Sequence, residues 1–320
     1  MKKVFIVVPC YNEEETIEIY YNEVIKYLND DYDFNVCFVN DGSKDKSLEI
    51  MKALAAKDKR IKYLSFSRNF GKEAAMYAGL EAAKNANCDC AIIMDVDLQD
   101  PPYLLPELLK SHEDGYNLVF TRQKNRHGGS RLSAFFSLSF YKVFAFVTKD
   151  KGMAQGARDY CLLDKKAVNA FLAIKDHERF TKGIYHFVGF KQKVIEFDYA
   201  KRSAGTTKWN FKKLFHYAVL GMREFSRFYE YIPKIAAWAC FFLLCFDTGN
   251  GIYKAIKASS YYAFDWNPVR LDALFLVLFI VLFYLFRLLY DVRKQTQRRP
   301  IYIEEESNLI EFDNNDDEAE

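Results

Sequence analysis

The chain has 320 residues, of which half are hydrophobic and 28% are charged. This composition excludes a disordered tail protein, a collagen-like chain and a small disulfide scaffold. The net charge of +2 argues against a strongly basic nucleic-acid-binding protein. That average hides an uneven chain, because residues 304–320 hold nine acids and no base, whereas the first 303 residues carry 45 bases against 34 acids. The seven cysteines are an odd number without a Cys-x-x-Cys pair, which favours reduced thiols over a disulfide framework or a zinc site.

The first 116 residues alternate short apolar runs with segments of helical periodicity. Buried strands are predicted over 4–8, 35–39, 61–66 and 90–94. Helices are predicted around 17–28, 48–55 and 75–82. This alternation predicts a parallel α/β sheet covered on both faces, with ligands bound beyond the C-terminal ends of its strands.

The middle of the chain is less regular. Strands are predicted over 119–122, 160–163 and 193–197, and a strongly aromatic helix over 131–147. Residues 201–234 hold eight bases and two acids, which indicates a surface facing phosphate or anionic lipid, with an ordinary solvated helix as the alternative.

Two apolar stretches follow, over 235–246 and 271–289. The second is long enough to span a bilayer, whereas the first runs into Asp-Thr-Gly-Asn-Gly at 247–251 and fits a broken span, a re-entrant hairpin or an interfacial helix. Bases flank the outer ends of the pair, which places both ends on the cytoplasmic side. We therefore expect a membrane hairpin over 231–292, with a buried soluble hairpin as the alternative.

Each of the first four predicted strands ends in a polar motif. These motifs are Pro-Cys-Tyr-Asn-Glu-Glu at 9–14, Asn-Asp-Gly-Ser at 40–43, Ser-Arg-Asn-Phe-Gly-Lys at 67–72 and Asp-Val-Asp-Leu-Gln-Asp-Pro-Pro at 95–102. In an extended segment Asp95, Asp97 and Gln99 would project to one side, and three oxygen ligands on one face suit Mg²⁺ or Mn²⁺ together with a diphosphate. Neither a Walker lysine motif nor Gly-x-Gly-x-x-Gly is present, which argues against a P-loop ATPase or a dinucleotide oxidoreductase.

Together these four motifs resemble those of family 2 glycosyltransferases with the GT-A fold, and most closely the branch that acts on polyprenyl phosphates. The resemblance extends over nearly the whole chain, including Arg-Pro-Ile-Tyr-Ile at 299–303. It implies a Rossmann-like mixed α/β sheet that binds a nucleotide sugar, followed by the C-terminal membrane helical hairpin. Many relatives have Asp where Asn40 stands, so a direct ligand role for Asn40 is not implied.

The resemblance also implies roles for individual residues. The donor-binding residues would be Pro9, Tyr11, Glu13, Asp41, Ser67, Lys72 and Asp95. The metal ligands would be Asp95, Asp97 and Gln99, with Mg²⁺ or Mn²⁺ as cofactor. The catalytic residues would be Asp159 and Asp97, and the acceptor phosphate would be bound by Arg122, Arg131, Arg202 and Lys208. For Lys72 the alternative is a surface lysine at a helix N-terminus, and for 202–208 it is a plain basic linker.

The implied protein is a membrane-bound inverting glycosyltransferase that moves a hexose from a UDP- or GDP-sugar to undecaprenyl or dolichyl phosphate, serving cell-envelope glycan or O-antigen modification. We expect a catalytic domain over 1–230 with amphipathic surface helices near 131–147 and 209–230. We expect the membrane hairpin next and a cytosolic tail over 293–320 that is disordered after 303. Expected partners are the donor, the lipid acceptor, the membrane, a second copy of the chain, a flippase and a downstream glycosyltransferase, but no nucleic acid. The alternatives are a transferase acting on a growing polysaccharide or other glycan, and a non-catalytic membrane scaffold.

Overall fold

The computed structural model describes residues 1–124, 157–176, 179, 181–198, 269–296 and 300–309, with single helical residues between 235 and 257. The strands are β1 (Lys2–Cys10), β2 (Tyr32–Asn40), β3 (Ile61–Phe66), β4 (Cys90–Ile93), β5 (Leu118–Gln123), β6 (Ala157–Asp164), β7 (Gln192–Phe197) and β8 (Glu304–Ser307). The helices are α1 (Ile17–Val24), α2 (Ser47–Lys57), α3 (Lys72–Asn85), α4 (Leu105–Glu113), α5 (Lys165–Ala173), α6 (Thr181–Phe187) and α7 (Val269–Thr296).

The eight strands form one mixed sheet in the order β7-β5-β6-β4-β1-β2-β3-β8. Strands β3, β2, β1 and β4 are parallel neighbours, whereas β6 runs antiparallel to both β4 and β5. The parallel strands all end at the same edge, and the strand order reverses on either side of β1. A ligand site is expected at that edge in an open α/β sheet, so the prediction of a parallel, doubly covered sheet is confirmed for the first four strands.

Each face of the sheet carries its own apolar core. In β1, Val4, Ile6 and Val8 pack into one core, while Phe5 and Val7 pack into the other. A strand buried on both faces reads as a continuous apolar run, and that is the signal by which the sequence predicted it. The segment around 17–28 is helical only as far as Val24, where a 3-10 turn takes over.

Helix α3 lies unusually close to β1. A Cβ atom added at Gly79 would meet Cγ1 of Val7 at 2.1 Å, a distance that carbon atoms do not tolerate. The absence of a side chain at Gly79 therefore lets α3 approach the central strand. This close packing helps to determine the position of Lys72, the first residue of α3.

The prediction of disorder after residue 303 is wrong for residues 304–309. Glu304–Ser307 form β8, which pairs antiparallel with β3 at the edge of the sheet. Composition misled the prediction because the acidic side chains of an edge strand stay solvated, while its backbone makes the ladder hydrogen bonds. Glu306 also forms an ion pair with Lys52, with 2.6 Å between Nζ and Oε1.

Helix α7 covers the whole of the second apolar stretch and is 28 residues long. No helix in the described part of the chain has the length and apolar content that a bilayer crossing requires. The predicted hairpin over 231–292 is thus not confirmed. The helices predicted over 131–147 and 209–230 lie outside the described residues. Six cysteines are described and all six are free thiols, as predicted.

Candidate active site

The loops after β1 and β2 interlock at the carboxyl edge of the sheet. The backbone amide of Asn12 donates to Oγ of Ser43 at 2.9 Å, and Oδ1 of Asn12 accepts from the amide of Lys44 at 2.8 Å. The amide of Glu13 donates to Oγ of Ser47 at 2.8 Å. Asn12 itself has φ +52°. The segment that contains Tyr11 and Glu13 is therefore held against the Asn-Asp-Gly-Ser loop, as the convergence of the motifs predicted.

Asp41 organises the loop between β3 and α3. Its carboxylate accepts hydrogen bonds from the backbone amides of Phe70 at 2.6 Å and Gly71 at 3.0 Å, and from Nδ2 of Asn69 at 2.9 Å. Burial raises the pKa of Asp41 to about 6, against the opposing effect of the amides of Phe70 and Gly71. In this structure Asp41 holds the loop that carries Lys72, and its direct contact with a nucleotide stays a prediction.

Two further residues of the Asn-Asp-Gly-Ser loop have packing roles. Gly42 has φ +62°, and a Cβ atom there would lie 2.3 Å from the backbone carbon of Arg68, so a side chain would push the two loops apart. Asn40 is buried, donates from Nδ2 to Oγ of Ser65 at 2.9 Å, and accepts from the amide of Ser43. These contacts within the protein agree with the expectation that Asn40 is not a direct ligand of the nucleotide sugar.

The segment after β4 is a turn, so the predicted extended conformation of 95–99 is wrong. Leu98 has φ +58°, and the amide of Gln99 donates to Oδ1 of Asp97 at 3.1 Å. The buried carboxylate of Asp100 accepts from the amide of Asp95 at 3.2 Å and closes the turn. The sequence analysis did not predict this role of Asp100. The signal that could have indicated it is an acidic residue directly before Pro-Pro and shortly after a strand.

Asp159 in β6 lies close to Asp95, which follows the neighbouring strand β4. The antiparallel register pairs Ile93, the last residue of β4, with Cys161, and the same register continued two residues past the end of β4 would bring Asp95 level with Asp159. Both carboxylates contact the same ammonium group, because Nζ of Lys72 lies 2.7 Å from Oδ1 of Asp95 and 2.8 Å from Oδ2 of Asp159. Lys72 thus contacts two acids that lie 23 and 87 positions further along the chain.

The cluster of Lys72, Asp95 and Asp159 is partly buried, with side-chain exposures of 29%, 28% and 24%. Burial alone would lower the pKa of Lys72, but the charges and hydrogen bonds of Asp159 and Asp95 outweigh it and raise the pKa. Lys72 is therefore a fixed positive charge between two carboxylates. The alternative of a surface lysine at a helix N-terminus does not fit these contacts.

Other predicted site residues lie at the same edge. Pro9 is in β1 and Tyr11 follows it, both partly buried, while Ser67 is exposed at the end of β3. Arg122 pairs with Ala157 in the β5–β6 ladder, two residues from Asp159, and its Nε donates to Oε1 of Glu196 at 3.0 Å. The predicted acceptor residues Arg131, Arg202 and Lys208 lie outside the described residues.

The donor set proposed for a metal ion consists of oxygen atoms only, from Asp95, Asp97 and Gln99. All three side chains are partly buried in one turn, and Oδ1 of Asp97 already accepts a backbone amide. Among the described residues, no group of three or more His, Cys, Asp or Glu side chains is arranged to hold a metal ion. Two carboxylates and an amide fit a hard cation that takes its remaining ligands from a diphosphate and water.

Comparison with known proteins assigns the family. Residues 5–171 match the family described as Glycosyl transferase family 2, a span that runs from within β1 to beyond β6 and includes Lys72, Asp95 and Asp159. The chain belongs to glycosyltransferase family 2. The predicted resemblance is confirmed, and the cluster described above is the candidate active site of a glycosyltransferase.

Curated relatives extend beyond the matched domain. CsbB of Bacillus subtilis, which carries the name of a glycosyltransferase, is 34% identical over 322 aligned residues that cover 95% of this chain and 92% of CsbB. The prophage bactoprenol glucosyl transferase homolog of Escherichia coli is 36% identical, covering 75% of this chain and 78% of that protein. The bactoprenol glucosyl transferase of Shigella phage SfV is 36% identical, covering 71% and 73% respectively.

The solved structures to which this chain is similar include glucosyl-3-phosphoglycerate synthase from Mycobacterium tuberculosis in complex with Mn²⁺, UDP-glucose and phosphoglyceric acid. The identity is 20%, the TM-score is 0.47, and the match covers 68% of this glycosyltransferase and 76% of that chain.

Proposed function

We propose that this glycosyltransferase moves a hexose from a nucleotide sugar to polyprenyl phosphate at a membrane surface, with inversion at the anomeric carbon. The observation that carries the proposal is the cluster of Lys72, Asp95 and Asp159, which joins the donor loops to the strand next to Arg122. The names of two relatives at 36% identity support bactoprenol phosphate, a polyprenyl phosphate, as the acceptor and glucose as the sugar.

On the donor side, the interlocked loops after β1 and β2 would hold the nucleoside, through Pro9, Tyr11 and Glu13. The loop that Asp41 positions would present Ser67 and Lys72 to the diphosphate. Nζ of Lys72 then has two roles: it contributes positive charge where the leaving diphosphate gains negative charge, and it keeps Asp95 and Asp159 in place before the donor arrives.

Asp95, Asp97 and Gln99 would hold Mg²⁺ or Mn²⁺, and the bound ion would stabilise the departing nucleoside diphosphate. The turn between Asp95 and Asp100 sets the spacing of these three oxygen donors, with Asp97 already anchored to the amide of Gln99. A nucleotide sugar would supply further oxygen ligands through its diphosphate.

On the acceptor side, a phosphomonoester is largely ionised at neutral pH and needs little general-base assistance. Asp159 therefore orients the acceptor or faces the positive charge that develops on the sugar ring. Arg122 lies on the neighbouring strand, where its guanidinium could exchange Glu196 for a phosphate group. Arg131, Arg202 and Lys208 are proposed to complete the phosphate site.

A polyprenyl chain does not leave the bilayer readily, so the enzyme must work at the membrane, with its catalytic domain in the cytoplasm. Helix α7 supports this placement because Leu274, Leu278, Phe283, Phe286 and Leu289 are 50–68% exposed. An apolar helix surface of this extent is typical of contact with lipid or protein.

A panel of radiolabelled nucleotide sugars tests the proposal. Full-length protein in detergent is mixed with Mg²⁺, with either undecaprenyl phosphate or a free oligosaccharide as acceptor, and with UDP-glucose, UDP-N-acetylglucosamine, UDP-galactose or GDP-mannose as donor. We expect label in the organic phase with one donor and none with the Asp97→Ala variant. Transfer to a glycan with no lipid product would favour the polysaccharide alternative, and no transfer with any donor would favour the scaffold. Unchanged turnover of Asp97→Ala would contradict the metal assignment.

A further inference from the structure

The segment 300–309, here called the C-terminal strap, follows α7 in the chain and docks on the far edge of the sheet. Its strand β8 pairs with β3. At its distal end, Asn308 clamps β3, since Oδ1 accepts from the amide of Tyr63 at 2.7 Å and Nδ2 donates to the carbonyl of Ile61 at 3.3 Å. These contacts lie at the start of β3, away from the candidate active site.

At its proximal end, the strap contacts the loop that leads to Lys72. The carbonyl of Ile303 accepts from the amide of Ser67 at 3.2 Å, just past the end of β3. The ring of Tyr302 stacks on Phe66 with 4.9 Å between centroids, and Phe66 packs edge-on against Phe70 at 5.7 Å. The hydroxyl of Tyr302 donates to Oε2 of Glu81 in α3 at 2.7 Å. Tyr302 thus joins the end of β3 to the helix that Lys72 begins.

The loop 67–71 is therefore held from two sides. On its inner side, Asp41 binds the amides of Phe70 and Gly71, and Gly42 lies against the backbone of Arg68. On its outer side, Tyr302 and Ile303 bind Phe66 and Ser67. A short loop that is fixed at both ends places the next residue with little freedom, and here the next residue is Lys72.

We infer that Tyr302 is a positioning residue for donor binding, which acts on the active site through the loop 67–71. The described contacts of Tyr302 are with Phe66 and Glu81 rather than with Asp95 or Asp159, so Tyr302 acts through these two residues, next to the hydrogen bond between Ile303 and Ser67. Edge protection of β3 explains the clamp of Asn308 but does not require the stack and the hydrogen bond of Tyr302 beside the loop.

The test compares Tyr302→Ala with Asn308→Ala, because both variants weaken the strap but at opposite ends. The first readout is amide hydrogen exchange in the full-length protein. We expect exchange at 67–71 to rise at least tenfold in Tyr302→Ala and to change less than twofold in Asn308→Ala, with faster exchange at 61–64 in the latter. Unchanged exchange at 67–71 in Tyr302→Ala would overturn the inference.

The second readout rests on the proposed function. With UDP-glucose and undecaprenyl phosphate, Tyr302→Ala should raise the donor KM about fivefold with kcat changed less than twofold, which is the pattern for lost binding organisation. Asn308→Ala should leave the donor KM unchanged even where it lowers Tm as much as Tyr302→Ala does. Equal KM effects in the two variants would show that the strap acts through stability alone and would overturn the inference.

Two further variants keep the test decisive if Tyr302→Ala does not fold. Tyr302→Phe retains the ring stack and loses only the hydrogen bond to Glu81, and Glu81→Gln retains an acceptor at that position. We expect intermediate exchange at 67–71 in Tyr302→Phe and near-normal exchange in Glu81→Gln. Because hydrogen exchange needs no substrate, a wrong donor or acceptor would leave this arm intact, whereas normal exchange in Tyr302→Phe would contradict the inference.

Discussion

At the residue scale, Lys72 is the group that joins the proposed donor and acceptor sides of the site. It lies within 2.8 Å of both Asp95 and Asp159, and the pair of carboxylates would repel one another without it. Electrostatic groups fixed before the reaction contribute most of the rate enhancement in many enzymes. Lys72 should therefore matter more for transfer than for folding.

We expect Lys72→Met to lower kcat/KM for transfer by a factor of about 10² or more, by analogy with the loss of one charge-stabilising donor. The matched control is Lys84→Met, which makes the same change at an exposed position in the last turn of α3. Steady-state kinetics and thermal unfolding of both variants check the prediction. Equal kcat/KM in the two variants would contradict the role of Lys72.

Asp41 predicts a pH effect on stability. Because burial raises its folded-state pKa to about 6, while an unfolded Asp has a pKa of about 3.9, the folded protein binds more protons at this group between these values. Its stabilising contribution is full below about pH 4 and is lost as the pH rises through about 6.

Asp41→Asn removes this titration. The free energy of unfolding of the wild type should therefore fall relative to that of the variant between about pH 4 and pH 6.5. Urea unfolding of both proteins at several pH values measures the difference. A constant difference across this range would show that Asp41 has an ordinary pKa in the folded protein.

At the element scale, α3 and β1 determine the geometry of the site through Gly79. We expect Gly79→Ala to destabilise the protein by ~1–3 kcal/mol, because the new methyl group overlaps Val7. The double variant Val7→Ala with Gly79→Ala should lose less stability than the sum of the single variants. Denaturant unfolding of the full cycle checks this, and strict additivity would contradict the close approach of α3.

The sequence predicted the parallel half of the sheet because apolar runs in doubly buried strands are distinctive. It could not predict the conformation of 95–99, since a positive φ at Leu98 depends on the buried carboxylate of Asp100. Nor could it predict β8, whose acidic composition is typical of disorder and whose pairing partner is more than 200 residues earlier in the chain. The motifs named Asp95, Asp159 and Lys72, but their contact follows from strand register and helix placement.

At the scale of the whole molecule, the net charge of +2 was the least informative number in the composition. It combines a basic body with an acidic terminus, part of which forms β8. The surface that we propose to bear on function is instead the exposed apolar surface of α7.

Charge introduced on α7 should weaken membrane binding. We expect Phe283→Glu with Phe286→Glu to lower cosedimentation with phosphatidylglycerol–phosphatidylethanolamine vesicles by about tenfold, since two aromatic side chains lose their contact with lipid. The control is Ile19→Glu, an apolar side chain in α1 that is 40% exposed. Equal vesicle binding by the double variant and by Ile19→Glu would show that α7 does not face lipid.

Transfer of a sugar to a lipid phosphate is tested most directly by comparing acceptors. Full-length protein in detergent is given radiolabelled UDP-glucose and Mg²⁺ with undecaprenyl phosphate, undecaprenol or a free oligosaccharide, alongside Asp159→Asn as the inactive control. We expect an organic-phase product only with undecaprenyl phosphate, and its loss in Asp159→Asn. Transfer to undecaprenol or to the oligosaccharide at a comparable rate, or full activity of Asp159→Asn, would contradict this expectation.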